Sequence, residues 1–265
     1  MSSRTRDIVV LVAGLAVLVA AALGGYAAVR ARAAGSGADQ ALAPVASPTP
    51  APSASGAPAV PQYDRWTVGK AVGPVTAYAR PSTSAKVRAQ FGKLNQNGYP
   101  TLLLVDTTRT VGQTVWYKVW LPIRPNESQG WVPEGELAFY TTSSKIVIDL
   151  SQRRLSVYRR GALMGTYPVA VGRPGLSTPT GFFYVNQKLK PLTPDGAYGV
   201  LAIGISAFQP KLQYWAQGGP VAIHGTNEPW LIGKAISHGC ARMHNKDVLA
   251  VSRFVPSGSP VEIVK

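Results

Sequence analysis

Cysteine is nearly missing from this chain: its 265 residues include one, Cys240. A lone thiol excludes an intramolecular disulfide framework, so Cys240 is either a small buried hydrophobe or a reactive group. Histidine is scarce as well. The three present, His224, His238 and His244, all stand close to the cysteine in sequence. Acidic side chains number 12 against 27 lysines and arginines, a net charge of +15 that favours anionic neighbours or simply a solvated basic surface. With so few acids near the histidines, and a His238-Gly239-Cys240 spacing that would strain tetrahedral ligation, no metal is expected, and no cofactor.

What the chain does contain begins with an apolar run. Residues Ile8 to Val29 carry no charge before Arg30, and 22 residues suffice as a helix to cross a hydrocarbon core of roughly 30 Å. A cleavable signal has an apolar core of only about 7–15 residues. The expectation is therefore a cytoplasmic tail at 1–7 and a transmembrane helix or signal anchor at 8–29. Arg4 and Arg6 before the run nearly balance Arg30 and Arg32 after it, so orientation rests on the long body being exported. This predicts a single-pass cell-membrane protein with its C-terminal portion facing the cell wall. Secretion after cleavage near Ala28 or Ala33 is the alternative. An exported chain rarely meets nucleic acid, which leaves wall polymers and the cytoplasmic membrane as expected anionic partners.

Residues 30–62 are rich in Ala, Pro and Ser, with Pro44, Pro48, Pro50, Pro52, Pro58 and Pro61 and few large side chains. Such a segment cannot offset its ordering entropy and reads as a disordered linker. From 63 to 143 short β-rich runs, such as Leu102-Leu103-Leu104-Val105 and Val115 to Trp120, alternate with turn clusters at Asn95 to Gly98 and Pro125 to Ser128. This pattern predicts a small barrel or sandwich. From 144 to 265 strands are predicted at Lys145 to Leu150, Leu155 to Arg159, Ala162 to Val171, Gly181 to Val185 and Pro260 to Val264. One helix is predicted from Asp247 to Phe254, with Asn245 as its N-cap. The class is mainly β.

The chemistry gathers at the C-terminal end. A thiol with a pKa of about 8.5 is mostly protonated at neutral pH, and a neighbouring imidazole can take that proton and later return it to a leaving amine. His224 lies 16 residues before Cys240, a separation that a strand end and a loop can close. Gly239 permits a sharp turn, and the backbone N–H groups around it could stabilise an oxyanion. His238 is open between substrate contact and structural hydrogen bonding; His244 reads as a surface residue.

Ile223-His224-Gly225-Thr226, followed by Ser237-His238-Gly239-Cys240-Ala241-Arg242-Met243-His244-Asn245, is very similar to the signature of the L,D-transpeptidase (YkuD-like) catalytic domain. Ser177-Thr178-Pro179-Thr180-Gly181 resembles that family's Thr-Pro-Thr-Gly turn. The segment 63–143 resembles a bacterial SH3-like domain through Tyr78-Ala79-Arg80-Pro81, Trp116-Tyr117-Lys118-Val119 and Gly130-Trp131-Val132. The resemblance implies a β-sandwich catalytic domain over 144–265 with a short C-terminal helix, preceded by a small SH3-like β-barrel and the N-terminal transmembrane helix. It further implies a transpeptidase acting on peptidoglycan stem peptides through a cysteinyl thioester, forming 3→3 cross-links. Cys240 would be the nucleophile, His224 the proton donor and acceptor, and Gly225 its backbone partner. His238 would be supporting and Gly239 would supply the oxyanion backbone. Arg242, Ser237 and Tyr198 would contact substrate. Water as acceptor would make it an L,D-carboxypeptidase. A sortase would need a Thr-Leu-X-Thr-Cys strand that is not found, and a papain-like order would put the cysteine before the histidine. A non-catalytic wall-binding protein is the remaining alternative. The aromatic-containing stretch from Pro191 to Gln217 is read as a lid over the pocket or as core.

Overall fold

The computed structural model describes residues 64–265. The expected tail, apolar helix and linker at 1–62 lie outside the described residues. Those described all fall in one compact unit.

The first half is a seven-stranded antiparallel sheet. Its strands are β1 (Trp66–Ala71), β2 (Val75–Tyr78), β3 (Val87–Phe91), β4 (Leu102–Val111), β5 (Thr114–Trp120), β6 (Gln129–Pro133) and β7 (Leu137–Thr142). They run side by side in the order β3-β2-β6-β5-β4-β1-β7. Ala71, Val75, Ala77, Leu103, Val119, Leu121, Val132 and Leu137 form its core.

The second half holds β8 (Ser144–Asp149), β9 (Arg154–Arg159), β10 (Ala162–Pro168), β11 (Val171–Gly172), β12 (Gly181–Leu189), β13 (Ala202–Phe208), β14 (Pro220–His224), β15 (Ala235–Ser237), β16 (Ala241–Arg242), α1 (Asn245–Phe254) and β17 (Pro260–Val264). The sheet order is β10-β9-β8-β17-β12-β13-β14-β16, with β11 paired to β15 apart from it. Strict alternation writes the core. In β8 the residues Ile146 and Ile148 are buried, in β9 Leu155 and Val157, while their neighbours face outward. Arg160 and Gly161, both at positive φ, make the tight turn that joins β9 to β10. The single strand expected from Ala162 to Val171 is two, because Pro168 has no N–H to carry the ladder on. Residues Gly181 to Tyr184 of β12 pair with β17, and the rest of that strand pairs with β13. One strand thus belongs to two halves of the sheet, and residues of both halves meet in a single core cluster. Val248 and Val251, three apart on α1, close that core from one side.

The two halves share a buried apolar seam. Tyr184 of β12 is fully buried among Val68, Leu102 and Leu104, and its hydroxyl donates to the Leu102 carbonyl at 2.8 Å. Beyond it, Asn126 donates to the Phe208 carbonyl and accepts the Phe208 N–H, both at 2.8 Å. Arg124 donates to the carbonyls of Gln209 and Gly218. The loop 209–219 is therefore held from the first sheet.

The expected single-pass membrane location is corrected. Among the described residues no helix is long and apolar enough to cross a membrane. Their one α-helix has ten residues, about 15 Å against the roughly 30 Å a span requires. The helix start also differs from expectation. His244 is the cap residue and makes no side-chain capping bond, while Asn245 is already helical.

Candidate active site

The site is built on β13, β14 and β16, and strand alternation decides what it presents. Val221, Ile223, Ala241 and Met243 are core residues. The intervening Ala222, His224, Cys240 and Arg242 therefore project from the opposite face. Register fixes their order: His224 stands beside Ala202 of β13 and Arg242 of β16, and Ala222 beside Gly204. Cys240 comes one step before β16, and its Sγ accepts the Ala222 N–H at 3.4 Å. Cys240 and His224 are thus diagonal neighbours on one face of the sheet.

Each partner is tuned by its surroundings. His224 is 3% exposed, and burial lowers its pKa to about 4; Arg242 adds to the shift and the Gly225 carbonyl opposes it. Its Nδ1 lies 2.6 Å from the Gly225 carbonyl oxygen. A carbonyl only accepts, so Nδ1 carries the proton and Nε2 keeps its lone pair. The ring is neutral near pH 7 and ready to accept a proton. Burial pushes the Cys240 thiol up, with the Ala222 N–H and the Arg242 charge pulling the other way. The resting pair is thiol and imidazole, not thiolate and imidazolium.

The loop before Cys240 is pinned from both sides. Ser237 is buried; its hydroxyl donates to the Cys240 carbonyl at 2.6 Å and accepts the Gly239 N–H at 3.1 Å. Ser237, expected to contact substrate, spends its hydroxyl on this loop. The Gly239 N–H, expected as an oxyanion donor, is spent on Ser237. Gly239 has φ +122, and a Cβ there would lie 3.1 Å from the Gln209 amide nitrogen, so the position requires glycine. Gln209 in turn donates to the Ser177 carbonyl at 2.7 Å. His238 packs against Trp215 with ring centroids 5.1 Å apart and ring planes tilted by 43°. Arg242, expected to bind a stem carboxylate, pairs with Glu228 at 2.9 Å.

A cavity of about 340 Å³ opens above this face. Ala202, Gly204 and Ala222 make a floor of small side chains, Cys240 lies at one edge, and Tyr198, Leu189 and Gln217 rise around it. The Tyr198 ring sits 4.8 Å from the His224 ring. The expected lid is thus divided. Its middle is β13, a core strand, whereas Tyr198, Trp215 and Gln217 come from the loops on either side of that strand. Among the described residues no cluster of three or more His, Cys, Asp or Glu side chains could hold a metal.

Two consequences follow from the buried groups. Unfolded, the His224 ring takes a proton below about 6.5; folded, only below about 4. Between those values the unfolded chain holds more protons, so stability is full above 6.5 and is lost as pH falls through the window, by about 3 kcal/mol in total from this group. Urea unfolding of wild type and His224→Gln across pH 4–7 checks this: the wild type should show the extra slope and the variant should not. Asn245 Oδ1 accepts the N–H groups of Thr226 at 3.0 Å and Val200 at 3.4 Å, fixing the turn that follows His224. Asn245→Ala should destabilise the protein by about 1–3 kcal/mol, read as a lower urea midpoint, because both donors lose their acceptor.

Comparison with known proteins agrees with this geometry. The model of the YkuD L,D-transpeptidase catalytic domain matches residues 143–263. The protein named YkuD in Bacillus subtilis (strain 168) is 39% identical over 124 residues, which make up 47% of this chain and 68% of that protein. The chain belongs to the L,D-transpeptidase family. Its counterpart in Bacillus licheniformis is 43% identical over 124 residues, 46% of this chain and 67% of the relative. Among solved structures, Bdellovibrio bacteriovorus Bd1075 aligns at 24% identity and a TM-score of 0.38, over 46% of this chain and 48% of the other. A likeness of that size says nothing about activity, and this chain spans about half of that protein. The L,D-transpeptidase match contains every residue of the face described above, while β1 to β7 lie before it.

Glu228 and Gln209 went unread in the sequence. Glu228 had one available signal: it is the only acidic residue between His224 and Cys240. Gln209 had none, since its role depends on where β13 ends.

Proposed function

We propose that the protein is a peptidoglycan L,D-transpeptidase that joins stem peptides by 3→3 cross-links through a thioester on Cys240. The observation that carries this reading is the neutral, buried His224. Its Nδ1 is tied to Gly225, and its ring shares a sheet face with the thiol. In the first step Cys240 Sγ bonds to the carbonyl carbon of the third stem residue while its proton passes to His224 Nε2. The Cys240 N–H is the donor we assign to the resulting oxyanion, because that of Gly239 is taken by Ser237. Collapse breaks the bond to the terminal D-alanine, which leaves as an amine with the proton from His224. The side-chain amine of a second stem then attacks the thioester and gives its proton to His224. Cys240 leaves and recovers a proton from the imidazolium.

Tyr198 bounds the cavity on the His224 side. Arg242, paired with Glu228, supplies positive charge beside the thiol. His238 is supporting, held by Trp215 at the loop. The sheet β1 to β7 is read as an SH3-like module, and the net charge of +15 suits anionic wall polymers as neighbours. Incubation with a tetrapeptide stem tests the reading. Mass spectrometry should find free D-alanine together with dimers joined between third residues. Release of D-alanine without dimers would make the enzyme a carboxypeptidase. No release at all would refute both.

A further inference from the structure

The cavity beside Cys240 does not end at its own rim. A second cavity of about 350 Å³ lies where the first sheet meets the second. The two share Asn186, Gln187, Ile205, Gln217 and Pro220 as common wall. Each volume lies in the roughly 300–1,000 Å³ range of ligand sites, and together they form one groove. Its far wall comes from the turn between β3 and β4, including Asn95, Gln96 and Asn97.

Two properties of the second cavity define what fits it. In a chain of charge +15, none of the described residues lining it is charged. That disfavours phosphates and carboxylates, which need a compensating partner when desolvated. The polar groups it offers are side-chain amides, already pairing as peptide groups do. Asn95 and Asn97 donate to Gln187 Oε1 at 2.9 and 3.2 Å, and Gln217 donates to Asn97 Oδ1 at 2.8 Å. One acceptor is left over. Asn186 Oδ1, on the shared wall, is one of two buried side-chain atoms without a partner among the described residues. That oxygen lies beneath the cavity surface, so a backbone N–H reaches it only when the Asn186 amide turns toward the groove. A sugar ring would instead seek an open aromatic face. Phe208 has the Arg124 guanidinium over its ring at 5.3 Å, and Phe91 packs into the first core.

We infer that this second cavity is a substrate subsite, holding an uncharged stretch of stem-peptide backbone while the reacting carbonyl lies over Cys240. The inference rests on the transpeptidase reading above and adds a role for the first sheet: the turn bearing Asn95 and Asn97 completes the substrate groove.

Gln96→Trp fills the cavity from an exposed position, and Asn97→Ala removes its bonds to Gln187 and Gln217. Steady-state D-alanine release from a tetrapeptide stem by the full chain is the readout. Both variants should raise KM about tenfold with kcat within about twofold of wild type, because the contact is equally made in ground and transition states. Unchanged KM in both variants, or a fall in kcat alone, would overturn the inference. Di-N-acetylchitobiose is the second probe. If it binds wild type but not Gln96→Trp while the peptide KM holds, the cavity takes glycan and the peptide assignment is wrong. A wild type that neither releases D-alanine nor forms a covalent carbapenem adduct would instead remove the transpeptidase reading, and this one with it.

Discussion

Cys240→Ala should abolish D-alanine release from a tetrapeptide stem, lowering turnover by at least about 10⁴-fold while leaving the urea midpoint close to that of wild type. The thiol is the only one in the chain, so no second sulfur can substitute for it. It is half-buried at the cavity edge and accepts a single long bond from Ala222, so alanine removes little packing. Residual turnover above about one per cent of wild type would mean that another group, or water activated directly by His224, attacks the carbonyl.

His224→Ala should cost about 10²–10⁴-fold in kcat, the usual worth of a positioned acid–base group. The sharper test is the pH profile of the wild type. Burial holds the imidazole at a pKa of about 4, so kcat/KM should fall on the acid side near pH 4 and not near the ordinary 6.5 of histidine. Protonation removes the lone pair that receives the thiol proton, which is why activity is lost as pH drops. Because burial also raises the thiol, the active ionic form at neutral pH is the neutral pair, with charge separation arising during attack. An acid limb near 6.5 would show that His224 is solvated in the working enzyme.

The parts of this fold that could be read from sequence are those governed by period and spacing. Alternation in Lys145 to Leu150 and Leu155 to Arg159 gave β8 and β9 nearly to the residue, since one face must be apolar and the other need not be. The pairing of Cys240 with His224 followed from a motif, and its geometry is a matter of register: β14 and β16 lie parallel, so residues 16 apart in sequence come to share one face. What escaped reading depends on tertiary placement. Asn245 carries the right side chain for an N-cap, yet its oxygen is drawn to Thr226 and Val200 because α1 begins against the turn after His224. Ser237 looks like a substrate hydroxyl until the loop closes on it. Gln209 and Glu228 acquire their partners only when strands distant in sequence converge. The division of β12 between two halves of the sheet has no local signal: Gly181 to Val185 reads as an apolar strand, and the polar Asn186-Gln187-Lys188 that follows reads as its end although it continues the strand against β13.

The central claim is a covalent intermediate on one thiol, and intact mass of the protein after rapid mixing with a tetrapeptide stem tests it most directly. A species heavier than the free protein by the stem less one D-alanine should appear, map to the peptide containing Cys240, and be absent from Cys240→Ala. An adduct on any other residue, or one that persists in Cys240→Ala, would contradict the account.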